Sequence, residues 1–538
     1  MDSSLNAARR ARELRRVPEE RLDVLVVGLG ATGAGAALDA AARGLSVAAI
    51  DAHDLAFGTS RWSSKLIHGG LRYLARGQVG VAYESAAERG ILLRRTAPHL
   101  VKAHPYVLPL TPAVSRRQAE LVMAGYRLGD ALRAAVRTPR RLLPGPSRLD
   151  AARAHTLVPV ARAEDLRGAL LSWDGRLLDD ARLVVAIART AAAHGARVLT
   201  RCRALRLDPA GGPGGGPGGG PGGGGVRAAV RDELTGEEFE IRARTVVNAT
   251  GVWAGTLDPR VRLRPSRGTH LVLPPGTLPG LIAGLHLPLP GETNRFALVL
   301  PQPDGRVYVG LTDEPVEGPV PDVPEAPEED VRALLEVLNG ALGTRVTREA
   351  VAGAYAGLRP LLADDGRAGG RAGARAGGRA GEGAGGRTAD LSRRHAVSAG
   401  DGVVTVVGGK LTTYRRMAED AVDCAVSSGD LRAGRCLTRR IPLVGAAPRP
   451  AGAPSGVPAR LTERYGSEAA AVHELVRAHP EEVGLGVTEG ELLWSVRHEG
   501  ALDEGDLLDR RTRIGLVESD RERALPAARE ALARFPRP

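Results

Sequence analysis

The chain has 538 residues, of which 43% are apolar and 25% charged, and this length predicts two or three domains whose cores need no disulfide bonds. No apolar run approaches the roughly 18 residues of a membrane-spanning helix, and the N-terminal segment lacks the apolar stretch of a secretory signal. Cys202, Cys424 and Cys436 are far apart and match no metal-binding pattern. We therefore expect a cytoplasmic protein without a structural metal.

Arginine supplies nearly all of the positive charge. The chain has 74 basic and 62 acidic residues, a net charge of +12, and its only lysines are Lys65, Lys102 and Lys410. An ammonium group is a compact charge on a flexible stem, whereas a guanidinium group is a planar fork. Each lysine therefore either has a specific role or is simply a surface charge. The residues around it in the sequence indicate which interpretation is favoured.

The first elements predict a nucleotide-binding unit. Residues 1–22 form a charged leader, predicted to be a helix or a partly disordered arm. After it, residues 23–28 read as a short apolar strand, 31–43 as an alanine-rich helix and 45–51 as a second strand. This order predicts a βαβ unit.

Gly28, Gly30 and Gly33 form the pattern G-x-G-x-x-G between the first strand and the helix. In that pattern the glycines allow a tight turn, close approach of a pyrophosphate and packing of the helix on the strand. The helix N-terminus attracts phosphate groups, and Asp51 at the end of the second strand can accept hydrogen bonds from ribose hydroxyls. A dinucleotide site is therefore predicted; the alternative is a glycine-rich turn without a ligand.

Three later segments favour FAD over NAD. Residues 59–73 combine hydroxyl groups, a lysine, a histidine and paired glycines, which suit a pyrophosphate and a ribityl chain. Strand ends at 246–251 and 406–414 add two more small-residue turns that could hold one long cofactor. The predicted cofactor-binding residues are Gly28, Gly30, Gly33, Asp51, Thr59, Ser60, Ser63, Ser64, Lys65, Thr250, Gly251, Gly408, Gly409, Leu411 and Thr412.

Two low-complexity inserts interrupt this pattern. Residues 211–225 contain only Gly and Pro between two predicted strands, which predicts a lengthened loop. Residues 366–387 contain Gly, Ala and Arg with a single Glu. Because no aromatic residues are interleaved for base stacking, this insert favours a surface loop over RNA binding, and no nucleic-acid partner is expected.

The remaining segments predict a surface helix and a C-terminal domain. Residues 115–143 mix arginines with apolar side chains, as in a basic amphipathic helix. Such a helix either lies on an anionic membrane surface or packs on the protein's own core. After a proline-containing linker from 437, helical patterns predict a small domain over 437–538.

Several segments in order resemble the FAD-dependent glycerol-3-phosphate dehydrogenase family: TSRWSSKLIHGGLRYL, NATGVWAG, GLRPLLADD, VGGKLTTYRRMAEDAV and HEGALDEGDLLDRRTRIGL. The resemblance implies an α/β fold, with a Rossmann-type FAD-binding domain, an antiparallel-sheet substrate domain and a C-terminal helical domain. The expected boundaries are 23–112, 175–257 and 351–430 for the FAD-binding domain, 113–174 and 258–350 for the substrate-binding domain, and 437–538 for the C-terminal domain.

The family resemblance also implies a reaction, the oxidation of sn-glycerol 3-phosphate to dihydroxyacetone phosphate with hydride transfer to flavin N5. It assigns catalytic roles to His68, His270, Arg359 and Lys410. It assigns substrate contacts to Arg72, Tyr73, Thr312 and Arg393. Guanidinium groups suit a phosphate clamp, and a histidine can take the hydroxyl proton, with His68 slightly favoured over His270.

The expected partners are the phosphorylated polyol, a quinone as electron acceptor and, by the same resemblance, the inner face of the cell membrane; a homodimer is one option. Leu311, Gln302 and Arg394 depart from the family pattern, which has a threonine, a tryptophan and an acidic residue at these places. These departures concern substrate contacts. Two alternatives stay open: a flavin oxidase of the same fold that uses oxygen or an amino acid, and a flavoprotein without turnover.

Overall fold

The computed structural model describes residues 2–74, 77–162, 164, 166–209, 225–289, 295–363, 394–446 and 456–535. Arg393, the side chain of Arg72 and nearly all of the two predicted inserts lie outside this description. The described chain forms two large sheets, flanking helices and a C-terminal group of helices. This confirms the predicted α/β fold class.

Within the described ranges, eight strands form the first sheet. Its main order is His395–Gly400, Val403–Gly408, Glu238–Asn248, Arg21–Val27, Val47–Ile50 and Arg197–Leu199, and the hairpin Cys202–Pro209 and Val226–Asp232 pairs with Glu238–Asn248. The pairings around the two βαβ strands are parallel, so the carboxyl ends of these strands meet at one edge. The predicted βαβ unit is confirmed, with its helix at Ala31–Ala42.

Three helices cover one face of this sheet: Ala31–Ala42, Asp180–Ala193 and Tyr414–Ser428. The first of these contacts both of the others, and its small alanine side chains are almost all buried. On the opposite face, the hairpin packs its apolar side chains against Leu22 and Leu25. The βαβ unit therefore lies at the centre of the domain, where its turn is held on all sides.

A second sheet is formed by ten strands of the described chain and is mostly antiparallel, as predicted for the substrate domain. Its order is Glu314–Pro315, Ser266–Leu273, Val307–Gly310, Phe296–Pro301, Gly284–Pro288, Val101–Pro109, Ala169–Leu177 and Leu66–Ile67, with Gly353–Arg359 beside Ser266–Leu273 and Ser147–Leu149 beside Ala169–Leu177. Helices Ala151–Leu157 and Glu328–Ala341 join its core.

The chain crosses between the sheets more often than the predicted boundaries allow. Leu66–Ile67, Val101–Pro109 and Gly353–Arg359 are strands of the second sheet, although the boundaries 23–112 and 351–430 assign them to the FAD-binding domain. A strand's partner is set by cross-strand packing over long sequence distances. Local patterns do not contain that information, so the sequence does not show which sheet these segments join.

The predicted amphipathic helix is observed as Arg116–Ala135, preceded by the short helices Leu71–Leu74 and Val79–Ile91. Met123 is buried in a small core beside the second sheet, whereas Leu121 and Leu128 are exposed. One face of the helix thus packs on the protein, and the opposite face presents apolar side chains to solvent. No helix in the described part of the chain is long and apolar enough to cross a bilayer.

The leader and the C-terminal domain both pack on the first sheet and its helices. The leader contains the helix Ala7–Arg16, and Arg10 forms an ion pair of 2.6 Å with Asp232, so this part is not a disordered arm. The C-terminal domain contains the helices Ala459–Tyr465, Ala469–Ala478, Glu489–His498 and Glu518–Ala533 and the hairpin Glu482–Gly484 with Val487–Thr488. The short helix Ala254–Leu257 instead lies beside the first sheet.

Buried ion pairs join the C-terminal domain to the rest of the protein. Arg182 forms two hydrogen bonds of 2.6 Å with Glu499, and Arg511 contacts Asp54 at 2.6 Å, all with buried side chains. The segment from Asp506, predicted to be helical, forms a π-helix at Asp506–Arg511 and, after the left-handed residue Arg513, a short 3-10 helix at Ile514–Leu516. This irregular segment points its charged side chains inward rather than to solvent.

Candidate active site

A cavity of about 770 Å³ lies between the strand ends of the first sheet and one face of the second. Elements from many parts of the chain form its walls, and most of the predicted site residues are among them. These are Gly28, Gly30, Asp51, Thr59, Ser60, Ser63, Ser64, His68, Tyr73, Thr250, Gly251, His270, Arg359, Gly408, Gly409, Lys410, Leu411 and Thr412. The predicted cofactor and substrate residues therefore face a common space.

The glycine turn is shaped by contacts of the backbone with itself. Gly28 has a φ of +99°, and a Cβ there would be 2.6 Å from the carbonyl oxygen of Ala249. At Gly33 a Cβ would be 1.8 Å from the carbonyl oxygen of Gly28, although Gly33 does not line the cavity. Gly30, in contrast, faces open space apart from the Ser60 hydroxyl. The space above the N-terminus of helix Ala31–Ala42 therefore fits the diphosphate of a dinucleotide.

Asp51 closes the other side of this turn. Its carboxylate accepts hydrogen bonds from the backbone N–H groups of Leu29, at 2.6 Å, and His53, at 2.8 Å. Burial raises the pKa of Asp51 to about 6, against the lowering effect of these two bonds. The carboxyl group thus fixes the loop beyond the second strand and still lines the cavity where an adenosine ribose would lie.

The hydroxyl groups of residues 59–64 line the cavity but already have partners within the protein. Thr59 donates to the carbonyl of Leu358 at 2.7 Å, and Ser60 accepts from the N–H of Ala31 at 2.9 Å. The Ser63 hydroxyl donates to a carboxylate at 2.7 Å. These bonds fasten the segment to its neighbours, and the predicted contacts with a cofactor stay predictions.

Lys65 is a predicted cofactor residue that, like Gly33, lies outside the described cavity lining. Its side chain is buried and is not among the described cavity-lining residues. Its ammonium group lies 3.1 Å from the carboxylate of Asp180, behind the cavity wall. Its position in a cofactor-like motif was the reason for the prediction, but its ammonium group donates to the carbonyl oxygens of Arg61 and Ser63 within the same turn.

Arg359 reaches the cavity from the second sheet. One guanidinium nitrogen contacts the Ser266 hydroxyl and the Asp313 carboxylate, each at 3.2 Å, and another donates to the carbonyl of Thr312 at 3.1 Å. These bonds fix the guanidinium plane while the side chain remains 20% exposed. A planar, fixed fork is suited to a phosphate.

Lys410 reaches the cavity from the strand end Val403–Gly408. Its ammonium group donates to the Ser85 hydroxyl at 2.6 Å and lies 3.9 Å from the centre of the Tyr73 ring. This ring in turn lies 6.5 Å from that of His68. The predicted residues Tyr73, His68 and Lys410 are therefore neighbours on one wall.

The two candidate histidines have different hydrogen bonds. Nδ1 of His68 accepts the N–H of Gly70 at 3.2 Å, so in the neutral ring Nε2 carries the proton. His270 is 1% exposed, and its Nε2 lies 2.8 Å from the Ser64 hydroxyl. Burial, aided by the charges of Lys65 and Arg359, lowers the pKa of His270 to about 3, so this ring is neutral near pH 7.

The departures from the family pattern are distributed unequally. Leu311 lines the cavity, whereas the buried Gln302 donates to the carbonyl of Leu300 at 2.9 Å and Arg394 is exposed. Thr312, predicted to contact substrate, instead accepts the N–H of Thr269 at 3.0 Å and lies outside the cavity lining. Only the change at Leu311 thus alters the surface that a ligand would meet among the described cavity residues.

Some residues of the site were not predicted. Asp174 lines the cavity, accepts the N–H of Gly69 at 3.1 Å and pairs with Arg89 at 2.6 Å, which fixes the paired-glycine turn. Tyr106 and His286, whose rings are 5.5 Å apart, line an aromatic part of the cavity. They belong to alternating strands in which polar residues point to one face, and that alternation is the signal available in the sequence.

Comparison with protein families gives two adjacent matches. The sequence model of the FAD dependent oxidoreductase family matches residues 23–415. The model described as the C-terminal domain of alpha-glycerophosphate oxidase matches residues 436–535. Residues 416–435 separate the two matches and include most of helix Tyr414–Ser428.

Among curated proteins, glycerol-3-phosphate dehydrogenase 1 of Mycobacterium tuberculosis is 50% identical, over 99% of this chain and 99% of its own. Glycerol-3-phosphate dehydrogenase 2 of the same organism is 34% identical, over 96% of this chain and 84% of its own. The crystal structure of the Bacillus halodurans glycerol-3-phosphate dehydrogenase complexed with FAD is 25% identical, with a TM-score of 0.71 over 98% of this chain and 94% of its own.

Proposed function

The chain belongs to the family of FAD-dependent glycerol-3-phosphate dehydrogenases, and we propose that it oxidises sn-glycerol 3-phosphate to dihydroxyacetone phosphate and passes the electrons to a quinone. The observation that carries this proposal is the shared cavity: Arg359, Lys410 and the pair Ser64–His270 face the same space as the glycine turn. When bound, FAD supplies the acceptor of the hydride from C2 and returns the electrons to the second substrate.

In this proposal Arg359 and Lys410 bind the phosphate. Arg359 is fixed by three hydrogen bonds to Ser266, Asp313 and Thr312, so its guanidinium plane is held in place before substrate arrives. Because Asp313 offsets part of the charge of Arg359, the guanidinium group acts as a directional donor more than as a net charge. Lys410 adds a second positive group on the same cavity.

Ser64 and His270 accept the hydroxyl proton. The Ser64 hydroxyl can take the proton of the substrate while it donates its own to His270 Nε2, which is 2.8 Å away. The low pKa of His270 owes part of its shift to Arg359. A bound phosphate dianion offsets that charge and raises the pKa of His270 toward the range of an effective base. His68, with Nε2 protonated, donates a hydrogen bond to the substrate oxygen.

A quinone fits the other end of the cavity. Tyr106, Tyr126, His286 and Phe296 line this part and present aromatic surface, and the Tyr106 hydroxyl is buried without a partner in the described chain. An uncharged ring with carbonyl oxygens matches such a lining. The match to a domain named after an oxidase keeps oxygen as the second candidate acceptor.

The membrane proposal rests on two neighbouring helices beside this end of the cavity. Val79 and Tyr83 on Val79–Ile91, and Leu121 and Leu128 on Arg116–Ala135, are 48–64% exposed. Exposed arginines at 116, 117 and 127 accompany them. We propose that this face rests on the inner surface of the cell membrane, which would bring a lipid-phase quinone close to its site.

Sedimentation with anionic vesicles tests the membrane proposal. The paired variant Leu121→Ser with Leu128→Ser should reduce the bound fraction, while Ile282→Ser, which removes an exposed apolar side chain elsewhere, should not. Equal binding of both variants contradicts the assignment of this face.

Anaerobic titration of the flavoprotein tests the reaction itself. Glycerol 3-phosphate should bleach the oxidised flavin absorbance, and a short-chain quinone should restore it faster than dissolved oxygen does. Faster recovery with oxygen identifies an oxidase instead. Bleaching by an amino acid, or by neither compound, overturns the proposed substrate.

A further inference from the structure

A buried pair of charges lies behind the turn that carries Ser64. Lys65 and Asp180 are 3.1 Å apart, with side chains 2% and 0% exposed. Neither is among the described residues that line the cavity. A lysine is rarely buried unless paired, and this one is among only three in the chain. The hydrogen bonds of Lys65 and Asp180 therefore indicate why the two residues are buried here.

Lys65 and Asp180 both form hydrogen bonds with Ser63, Lys65 with its carbonyl group and Asp180 with its N–H and hydroxyl groups. The Lys65 ammonium donates to the carbonyl oxygens of Ser63, at 3.0 Å, and Arg61, at 3.2 Å. Asp180 accepts both the N–H of Ser63, at 3.0 Å, and its hydroxyl, at 2.7 Å. Lys65 itself has a φ of +55°, a region that L-residues occupy at an energetic cost. The turn thus needs support from outside its own sequence.

Two sets of contacts connect Ser63 and Ser64 to the proposed base, His270. The next residue, Ser64, places its hydroxyl 2.8 Å from Nε2 of His270. The Tyr355 hydroxyl donates to the carbonyl of Ser63 at 3.2 Å, and the Tyr355 ring stacks on His270 with centres 4.8 Å apart and planes 13° apart. Lys65 also lies 4.8 Å from the centre of the Tyr355 ring. A displacement of Lys65 would therefore reach His270 by both routes.

The C-terminal domain supplies the second cation of the cluster. Arg513 is 4% exposed, and its Nη1 lies 3.7 Å from Asp180. Within the described chain its guanidinium nitrogens have no hydrogen-bond partner, so Asp180 is an electrostatic rather than a hydrogen-bonded partner. Arg306 of the second sheet donates to the Arg513 carbonyl at 3.1 Å. The cluster thus joins all three parts of the molecule at the back of the site.

We propose that Lys65 and Asp180 are positioning residues, which hold the Ser63–Ser64 turn so that Ser64 meets His270, and that Arg513 makes this arrangement depend on the C-terminal domain. The inference rests on the roles proposed for Ser64 and His270. It assigns Lys65 a function different from the cofactor contact that its motif predicts, because its ammonium group points away from the cavity.

The first test compares Lys65→Met with Lys102→Met in the FAD-loaded protein. Lys102 forms only a half-exposed pair with Glu463, at 3.7 Å, so it is a matched lysine outside the cluster. Lys65→Met should slow anaerobic flavin reduction by up to about 100-fold, as expected of a misplacement near 1 Å, with KM for glycerol 3-phosphate and calorimetric binding of dihydroxyacetone phosphate nearly unchanged. Lys102→Met should match the wild type.

A double-mutant cycle shows whether Lys65 acts through His270. If it does, Lys65→Met with His270→Gln should be no slower than His270→Gln alone. Rates that fall by the product of the single effects overturn the positioning role. A wild-type rate for His270→Gln removes the proposed base, whereas a slow His270→Gln beside a wild-type Lys65→Met overturns the present inference alone.

A second variant keeps the test decisive if Lys65→Met does not retain FAD. Arg513→Met removes the remote cation without touching the turn, and it should give a smaller fall in flavin reduction with the same unchanged KM. Loss of FAD by both variants, or a rise in KM equal to the fall in rate, shows that the cluster serves stability alone and overturns the proposal.

Discussion

The glycine turn at residues 28–33 and the proposed catalytic wall, formed by Ser64, His270, Arg359 and Lys410, face the same cavity. Different kinds of contact hold these two regions together. In the turn, the decisive contacts join backbone atoms, such as the carbonyl of Gly28 beside Gly33. On the wall, the decisive contacts join side chains far apart in the chain: Ser64 and His270 are 206 residues apart, and Lys410 and Ser85 are 325 apart. The first region can be deduced from a short pattern, while the second exists only after the whole domain has folded.

The largest effect is expected from a side chain added in the glycine turn. Gly33→Ala should abolish FAD retention, because the new Cβ would lie 1.8 Å from the carbonyl oxygen of Gly28 and the strand and helix must separate. The flavin-to-protein absorbance ratio of the purified variant measures this. Gly340→Ala, in helix Glu328–Ala341 where an added Cβ meets nothing within 4 Å, should retain FAD fully. A yellow Gly33→Ala protein would show that the turn tolerates a side chain.

The second prediction separates the wall from the turn. Arg359→Ala should lower kcat/KM for glycerol 3-phosphate by about 10- to 100-fold, the usual worth of charge-assisted hydrogen bonds, and should leave FAD bound. Steady-state kinetics with the flavin spectrum as a check measures both. Arg348→Ala, which removes an exposed pair with Glu328, is the control. Unchanged kinetics would exclude Arg359 from the phosphate site.

The same contrast decides what the sequence could reveal. The strand–helix–strand unit around Gly28, Gly33 and Asp51 was predictable because it follows from local patterns, while the contacts of these residues with a cofactor stay predictions. The pairing of Lys65 with Asp180 was not predictable, since nothing near Lys65 indicates which helix N-terminus packs beneath it. For the same reason the sequence did not show that Gly353–Arg359 pairs with Ser266–Leu273, which is distant in the chain.

A third prediction concerns the pH dependence of stability at the aromatic end of the cavity, which His286 lines. Burial lowers the pKa of His286 to about 4, below its value in the unfolded chain. Its contribution to the free energy of unfolding is therefore complete above about pH 6.5 and is lost as the pH falls toward 4, because unfolding then takes up a proton. The full change is at most about 3 kcal/mol.

Urea unfolding at several pH values measures this contribution. His286→Gln should lose less stability than the wild type between neutral and acidic pH, while His155→Gln, on the exposed side of helix Ala151–Leu157, should behave as the wild type. The same slope in all three proteins would show that His286 does not titrate as its burial requires.

The smallest effect is expected at Ser60, where the two regions meet. Gly30 is the N-cap of helix Ala31–Ala42 and has no side chain to cap it. The Ser60 hydroxyl accepts the N–H of Ala31 at 2.9 Å instead. Ser60→Ala should cost about 1 kcal/mol of stability, as loss of a helix cap does, and should weaken FAD binding only slightly, while Ser60→Thr should restore both. A large loss of FAD would mean that Ser60 binds the cofactor directly, and that this part of the wall belongs with the turn.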